Sequence, residues 1–593
     1  MAPRPRCPPG RPAGAAAAGR ADGRSWRWRL QADGRDGVRQ SDALYKAFLD
    51  EMQALESFRM AYTGQRPEAG LDREDPDVRR LIEAMAFFAA RTRATALRNI
   101  LATRRRLFRQ YFDFLLSPLP AMGMLQAVPS GRFAEPAVLP AGTEVSVFPP
   151  AGRPATFRTL WELRILPIRL RGVETMLRGG AGHRVALHFQ AAFPRNDEIG
   201  TLWLHVNHMN TYLASLHVLA QLRRHLEGAF VCFDERVTEE STGPRCEVRF
   251  GAPRDPDGPQ SGDAHPLERV RSFFHFPERE LYLAVEVPQP RRNWQRFSVV
   301  FDLGRGWPGR KLRLHEDLFK LFVVPVRNLH RMMAAPIEAD GRHERYPIRS
   351  PEPDQRYELH SVLGVYQVTE QGMTALRPGI LAGGAGSYEV ELDEPEGEER
   401  RGQGRQWLLL ELPEAFDAPR TIAVDAMWHQ PWFSEYAHER LQAALRTRVV
   451  AGVDWELIGG IRPHAESALR DDVEALLHMV SLRSKSLLQL GELAFLLQVL
   501  GMGAQRRFRP FEELASDLHV SSVPRPREQG GGFKHIYRVR LRPFAAGEEP
   551  AVRVALERAH EVLDCWVADA VVEIEASQSE GGEVWRIGPE GAG

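Results

Sequence analysis

DPDVRRLIEAMAFFAARTRATALRNILATRRRLFRQYFDFLLSPLP, residues 75–120, holds the switch between the two textures of this chain. Asp75 can cap a helix, and Pro76 fits the first helical position, where its missing N–H costs nothing. Val78, Leu81, Ile82, Met85, Phe88 and Ala89 then recur at helical spacing. The stripe resumes at Leu97, Ile100, Leu101, Leu107, Phe108, Tyr111, Phe112 and Leu115. Pro118 and Pro120 stop it, because proline removes a backbone donor and clashes with the preceding turn. Arg104, Arg105 and Arg106 form a basic run on this helix. Such a run is either a solvated face or a contact for an acidic partner surface.

Upstream, Leu44, Phe48, Leu55 and Phe58 predict another helix over 42–62, ended by Thr63-Gly64 and Pro67. Residues 41–120 therefore read as an N-terminal helical region. Residues 1–40 hold nine arginines and three aspartates among Pro/Gly/Ala runs, with no amphipathic period and no continuous apolar stretch of signal-peptide type. They read as a disordered arm, or as an extension lying ahead of a true start at Val38.

Downstream of 120 the segments become short, β-branched and separated by Gly/Pro turns. LPAGTEVSVF (139–148), ATFRTLWELRILPIRL (155–170), RVALHFQAAF (184–193), TLWLHV (201–206), AFVCFD (229–234), ELYLAVEV (280–287), FSVVFDL (297–303) and LFKLFVVPV (318–326) predict strands. A leucine-striped helix is expected around 213–226, and a loop over 252–266. Residues 121–326 form one β-rich module. A second spans 327–464, with strands at 362–368, 387–393, 406–412 and 420–427 and a charged loop at 394–405. Residues 465–593 read as mixed α+β, with helices at 465–480, 486–500 and 551–569 and strands at 536–544 and 571–576. The fold class is multidomain α+β.

Lys+Arg and Asp+Glu both number 78, so the formal charge is zero. That argues against a dedicated nucleic-acid binder, which carries a basic excess to displace counterions. It suits a protein that lives in an assembly, since little net repulsion keeps chains apart. Cys7, Cys232, Cys246 and Cys565 make no CxxC pair, as expected in a reducing cytoplasm. No apolar run reaches the length of a membrane span, so no direct membrane insertion is expected.

The chemical motifs point to no catalytic, cofactor or metal site. The phosphate-cradling GxxxxGK[ST], HExxH and GxSxG are all absent from the sequence. His205 and His208 flank a strand end, where alternation sends side chains to opposite faces. His429, Glu435 and His438 lie among Trp428, Trp432 and Tyr436, as a cleft or as an aromatic packing corner. Asp471-Asp472 open a leucine-bearing helix, where the helix dipole accounts for them.

Several stretches, in order, resemble the TssF family (also called ImpG or VasA) of type VI secretion. LYKAFLDEMQALESF, DREDPDVRRLIEAMAFFAARTR and LFRQYFDFLLSPLPAMGMLQ resemble the family's helical opening with a proline-rich exit. VLPAGTEVSVF followed by FRTLWELRILPIRL resembles its PAGT strand pair, which is also similar to phage-tail baseplate proteins. HPLERVRSFFHFPERELYLAVEV resembles a segment between a helix and a strand. LFKLFVVPVRNLHRMMAAPI, then RYPI and YELHSVLGVY, is the most specific match, and the leucine-rich helix near 486–500 is a fifth. The opening LYKAFLDEM and the stretch beyond 505 depart from the family pattern.

The resemblance implies a baseplate wedge subunit, not an enzyme, without cofactor. It implies association with TssG, TssK and a second copy of itself around a VgrG hub and sheath-proximal proteins, in the cytoplasm at the inner-membrane complex. Leu81, Met85 and Phe88 become candidates for a shared helical bundle, beside Arg104, Arg105 and Arg106. Two other readings make different predictions. A wedge protein of a phage tail or extracellular contractile system would share the PAGT unit. A β-rich hydrolase would show a deep pocket with convergent carboxylates.

Overall fold

The computed structural model describes residues 35–66, 75–178, 182–253, 265–290, 292–309, 312, 314–379, 386–392, 406–412, 419–469, 472–504, 507–525, 531–545, 547–567, 570–578 and 583–588. The arm before Arg35 and the charged loop at 394–405 lie outside them. The chain divides into two compact units, residues 1–94 with 394–403, and 95–393 with 404–593.

The first unit holds helix α1 (Arg35–Gln65) and the opening turns of α2 (Pro76–Leu116). Helix α1 begins seven residues before the expected 42. Asp75 receives the amide of Asp77 at 2.9 Å, which makes it the cap of α2. Within the unit, Glu51 of α1 and Arg93 of α2 form an ion pair at 3.1 Å.

The second unit is β-rich. Its six-stranded antiparallel sheet runs Gln442–Leu445, Glu144–Phe148, Ala155–Thr159, Val323–Arg327, Met122–Pro129, Val453–Arg462. The sheet takes strands from both stretches read above as separate β modules, so it crosses the line drawn at 326/327. The PAGT turn sits at its heart. Gly142 takes φ 76°, a left-handed conformation cheap only for glycine, and its amide reaches Thr159 O at 2.8 Å. Glu144 then pairs with Arg158 and the return strand follows. The stretch ATFRTLWELRILPIRL is not one strand but three, Ala155–Thr159, Leu163–Ile165 and Ile168–Arg178.

Two four-stranded sheets extend this core. One contains Ile168–Arg178, Gly182–Arg195, Trp294–Leu303 and Leu226–Phe233; the other contains Glu247–Phe250, Tyr282–Val287, Gly200–Val206 and Phe319–Leu321. Helices Tyr212–His225 and Pro266–His275 contribute buried residues to the same core. A separate core gathers Trp428, Ile422, Val424, Leu408 and Tyr346. These come from the sheet of Glu358–Thr369 and Arg420–His429 and from the sheet of Gln406–Glu411 and Ser387–Leu392.

The C-terminal sheet runs Ala515–Pro524, Phe533–Leu541, Ala570–Ser577, Val584–Ile587. Its two middle strands are parallel. A parallel pair needs a crossover, and helix Glu549–Trp566 provides it, burying Val552, Leu556, Val562 and Leu563. The helix expected at 465–480 starts only at Val473, because Asp472 accepts the Ala475 amide at 2.9 Å. Ala465 ahead of it instead bridges Leu119.

Candidate interaction surface

Helix α2 carries more than one apolar line. Val78 and Ile82 are half-buried, and Ala86 and Ala90 are fully buried. The offset line Leu81, Met85, Phe88, at i, i+4, i+7, stands 60%, 53% and 66% exposed. On α1, Phe48, Met52 and Leu55 are half-buried, while Tyr45, Leu49, Phe58, Met60 and Tyr62 are exposed. Phe58 and Tyr62 stack on the solvent side with centroids 6.2 Å apart. Helices as sparsely buried as these gain most of their stability from tertiary packing. Clustered exposed aromatics and leucines are the kind of patch that interaction surfaces use.

The other half of α2 belongs to the second unit. Phe108, Phe112 and Leu115 enter the principal core at 0%, 7% and 1% exposure. Arg104 is half-buried, and the Arg105 side chain lies outside the described residues. Arg106 meets acidic side chains of its own chain: its Nε lies 2.7 Å from Glu389 and its Nη2 2.7 Å from Glu391, both on strand Ser387–Leu392. Arg109 donates to Val390 O on the same strand. Burial raises the carboxyl pKa of Glu389, and Arg106 opposes that rise.

The end of α2 is held by a collar of donors from distant segments. Arg271 donates to Phe114 O at 2.8 Å and to Ser117 O at 2.6 Å. Ser467 Oγ donates to Leu115 O. The ring Nε2 of His360 donates to Pro118 O at 2.8 Å, and that of His275 donates to Pro120 O at 3.0 Å. Leu119 and Ala465 exchange two backbone bonds, at 2.7 and 3.0 Å. The last carbonyls of a helix lack intrahelical partners, and here those of Phe114 and Leu115 take side-chain donors from Arg271 and Ser467. Burial lowers the imidazole pKa to about 4 for His360 and about 3 for His275, so both rings are neutral.

The remaining residues singled out in the sequence do not converge. His205 is buried, reaches Glu278 O at 3.1 Å and packs on the Tyr282 ring. His208 faces His315 instead. His429 is buried beside His360 and His464, whereas Glu435 and His438 are exposed. The aromatic segment is a packing corner in which Phe433 is fully buried and Trp432 and Tyr436 pack around it. Cys232 and Cys246 are buried free thiols, with Cys246 pushed up to about 12 by burial. A recess of about 520 Å³ is lined by Thr211, Tyr212, Arg462 and Arg507 among others, with guanidinium groups and no carboxylate in its lining. No helix is long and apolar enough to cross a membrane, among the described residues.

The collar was missed in the sequence because its donors come from positions up to 352 residues away from the carbonyls they serve. The faint local signal was the pair of prolines at 118 and 120, which leave unpaired carbonyls that need donors.

Comparison with known proteins gives consistent results. The family model described as "Type VI secretion system, TssF" matches residues 65–382, more than half of the chain. No curated protein matches it in sequence. Among solved structures, a chain of a type VI secretion system TssK-TssF-TssG baseplate subcomplex, determined by cryo-electron microscopy, superposes with TM-score 0.68 at 17% identity. That match covers 86% of this chain and 98% of the other. A chain from a baseplate complex of the type VI secretion system superposes with TM-score 0.57 at 17% identity, covering 91% and 98%.

Proposed function

Because this chain belongs to the TssF family of type VI secretion systems, we propose that it is a structural wedge subunit of the baseplate. The observation that carries this reading is the exposed line Leu81, Met85, Phe88 on α2, with Tyr45, Leu49 and Phe58 exposed on α1. Apolar residues at helical spacing are what one helix offers another in a shared bundle. The partners are a TssG-like protein, a TssK-like protein and a second copy of this chain, grouped around the VgrG hub and sheath-proximal proteins. The similar solved chains come from assemblies whose descriptions name a TssK-TssF-TssG subcomplex and a baseplate complex, which supports that choice.

The work of such a subunit is mechanical. Rigid β modules hold the wedge, and a change of packing at the hub releases the sheath to contract. The protein acts in the cytoplasm, with the baseplate docked at the inner-membrane complex.

Co-expression with the neighbouring TssG-like and TssK-like proteins, followed by affinity purification and native mass spectrometry, tests the reading. The expected result is a stable complex with two copies of this chain per TssG-like protein. It should dissociate when Leu81, Met85 and Phe88 are all changed to serine. A chain that purifies alone as a folded monomer in the presence of both proteins overturns it.

A further inference from the structure

We propose that the recess at the start of helix Tyr212–His225 is a binding site for an oxyanion of the phosphate class, held by Arg462, Arg507 and the first amides of that helix. The site lies within the second unit and does not depend on the wedge reading.

Arg462 is a cation without a counter-charge. It closes strand Val453–Arg462, opposite Met122. It is half-buried and makes no hydrogen bond or ion pair among the described residues, and its Nε is shut off from solvent with no partner. A desolvated donor without an acceptor carries a penalty that a ligand can relieve. The carboxylates that act on this region, Glu278 and Glu280, are already engaged. Glu278 takes Arg507 through two bonds, Nη1 at 2.9 Å and Nη2 at 2.5 Å, and Glu280 lies 3.6 Å from Arg558. Arg462 is the guanidinium left over. Burial lowers its pKa, Arg507 adds to that, and Glu278 opposes it, as for a cation short of negative charge.

The helix facing it starts without a cap. Thr211 is the N-cap residue, yet its hydroxyl donates to Met209 O at 3.3 Å and caps nothing. The amides of Tyr212 and Leu213 have no acceptor among the described residues. Free first-turn amides and the positive end of the helix dipole favour an anion. Asn210 Oδ1 takes Asn207 Nδ2 at 2.8 Å, which leaves the Asn210 amide nitrogen as a further donor. Tyr212 also lines the recess and is 5% exposed; its ring packs on Phe508 with centroids 5.6 Å apart, and its hydroxyl bonds no described group. The polar side chains of the lining, Asn210, Thr211, Tyr212, Arg462 and Arg507, can all donate, and none is a carboxylate. Guanidinium forks and helix-start amides match the several oxygens of a phosphate. A volume of about 520 Å³ falls within the range of small-molecule sites, so there is room for the ion alone or for a small ester of it.

Isothermal titration calorimetry of the full chain with inorganic phosphate, against chloride at matched ionic strength, tests the site. Saturable binding is expected with phosphate and not with chloride. Ribose 5-phosphate titrated in parallel separates the two sources. Tighter binding than inorganic phosphate assigns a phosphate ester to the recess, and equal or weaker binding assigns the free ion. Arg462→Gln removes the unpaired fork and should weaken binding by about tenfold or more, the loss expected when a charged group gives up its hydrogen bonds. Arg462→Lys keeps the charge without the fork and should fall between the two. Ala504→Glu sets a carboxylate on an exposed residue of the rim. It should abolish binding while leaving the phosphate-free thermal midpoint unchanged, which keeps the test decisive if Arg462→Gln does not fold. The site is overturned if phosphate shows no saturable binding up to about 20 mM, beyond the millimolar range of weak ligands. It is also overturned if chloride reproduces the binding, or if either folded variant, Arg462→Gln or Ala504→Glu, binds phosphate as tightly as the unsubstituted chain.

Discussion

Asn328 and Gln430 hold each other across 102 residues of sequence: the Gln430 amide donates to Asn328 Oδ1, and Asn328 Nδ2 donates to Gln430 Oε1 at 3.0 Å. Neither is more than 1% exposed. The pair is the centre of a closed network. Gln430 Oε1 also takes the Thr156 amide at 2.9 Å, Asn328 Nδ2 reaches Thr156 O at 2.7 Å, and His330 Nε2 reaches the same carbonyl at 2.7 Å. Gln430 Nε2 donates outward to Gln355 O at 2.9 Å. The network ties strand Ala155–Thr159 to the residue after strand Arg420–His429. It gives the run VVPVRNLH its physical meaning: an apolar strand that hands over to a buried amide and imidazole.

A buried polar group left without its partner costs its full desolvation penalty. Asn328→Leu strands the Gln430 backbone amide and takes one of two donors from its side-chain oxygen. The variant should lose about 2–4 kcal/mol of stability, read as a lower urea midpoint with an unchanged slope. Asn328→Asp should be nearly as damaging, since the carboxylate cannot donate to Thr156 O. A loss under about 0.5 kcal/mol would mean that the two cores are not coupled through this network.

Acid should destabilise the protein well before its carboxylates titrate. Burial lowers the pKa of His205, His330 and His360 to about 4 and that of His275 to about 3, and holds His429 well below its ordinary value. In the unfolded chain the same rings titrate near 6.5, as an order of magnitude. Below that pH the unfolded state takes up protons that the folded state refuses, so stability falls as pH falls. It is full above about 6.5 and drains toward about 4. Each ring contributes about 1.4 kcal/mol per pH unit across that window. Denaturant titrations at pH 7.5, 6 and 5 check this, and His360→Gln, which keeps a donor for Pro118 O, should flatten the slope by about one proton.

How much of this was legible beforehand depended on range. The cap at Asp75, the stop at Pro118 and the Gly142 turn were readable because their causes lie within a few residues. The face of α2 was not. Val78, Ile82, Leu81, Met85 and Phe88 all fit helical spacing, and only the fold decides that the first two are half-buried while the last three stand exposed. Strand Val453–Arg462 went unread because its mixed VDWELIGGIR pattern becomes a strand by pairing with Met122–Pro129 more than three hundred residues earlier. Strand Ala515–Pro524 is largely exposed and polar, so the alternation that marks a half-buried strand is weak there. Arg106 read as a surface cation; its acidic partners, Glu389 and Glu391, lie 283 and more residues away, beyond any local rule.

Changing Leu81, Met85 and Phe88 to serine should leave the thermal midpoint of the isolated chain within about 2 °C, because exposed side chains contribute little to folding. Self-association should drop in the same variant, seen as a lower weight-average mass at high concentration in sedimentation equilibrium. A marked loss of stability would instead place these residues in a packed interior and remove them as an interaction surface.

Arg184 makes the last case, a buried arginine that organises a loop. It is 4% exposed and forks onto Asp302, with Nε to Oδ1 at 2.8 Å and Nη2 to Oδ2 at 3.2 Å. Its Nη1 is 2.9 Å from each of three carbonyls, Thr238, Glu239 and Ser241, and its guanidinium lies 4.9 Å over the Phe230 ring. Lysine keeps the charge but cannot offer a planar fork to a carboxylate and to several carbonyls at once. Arg184→Lys should therefore cost about 2–4 kcal/mol and open the 237–242 loop to limited proteolysis. Arg184→Met should be worse, because it leaves half-buried Asp302 with the longer 3.7 Å contact to Arg178. If Arg184→Lys leaves the loop resistant to protease, the three carbonyl bonds are not what holds it.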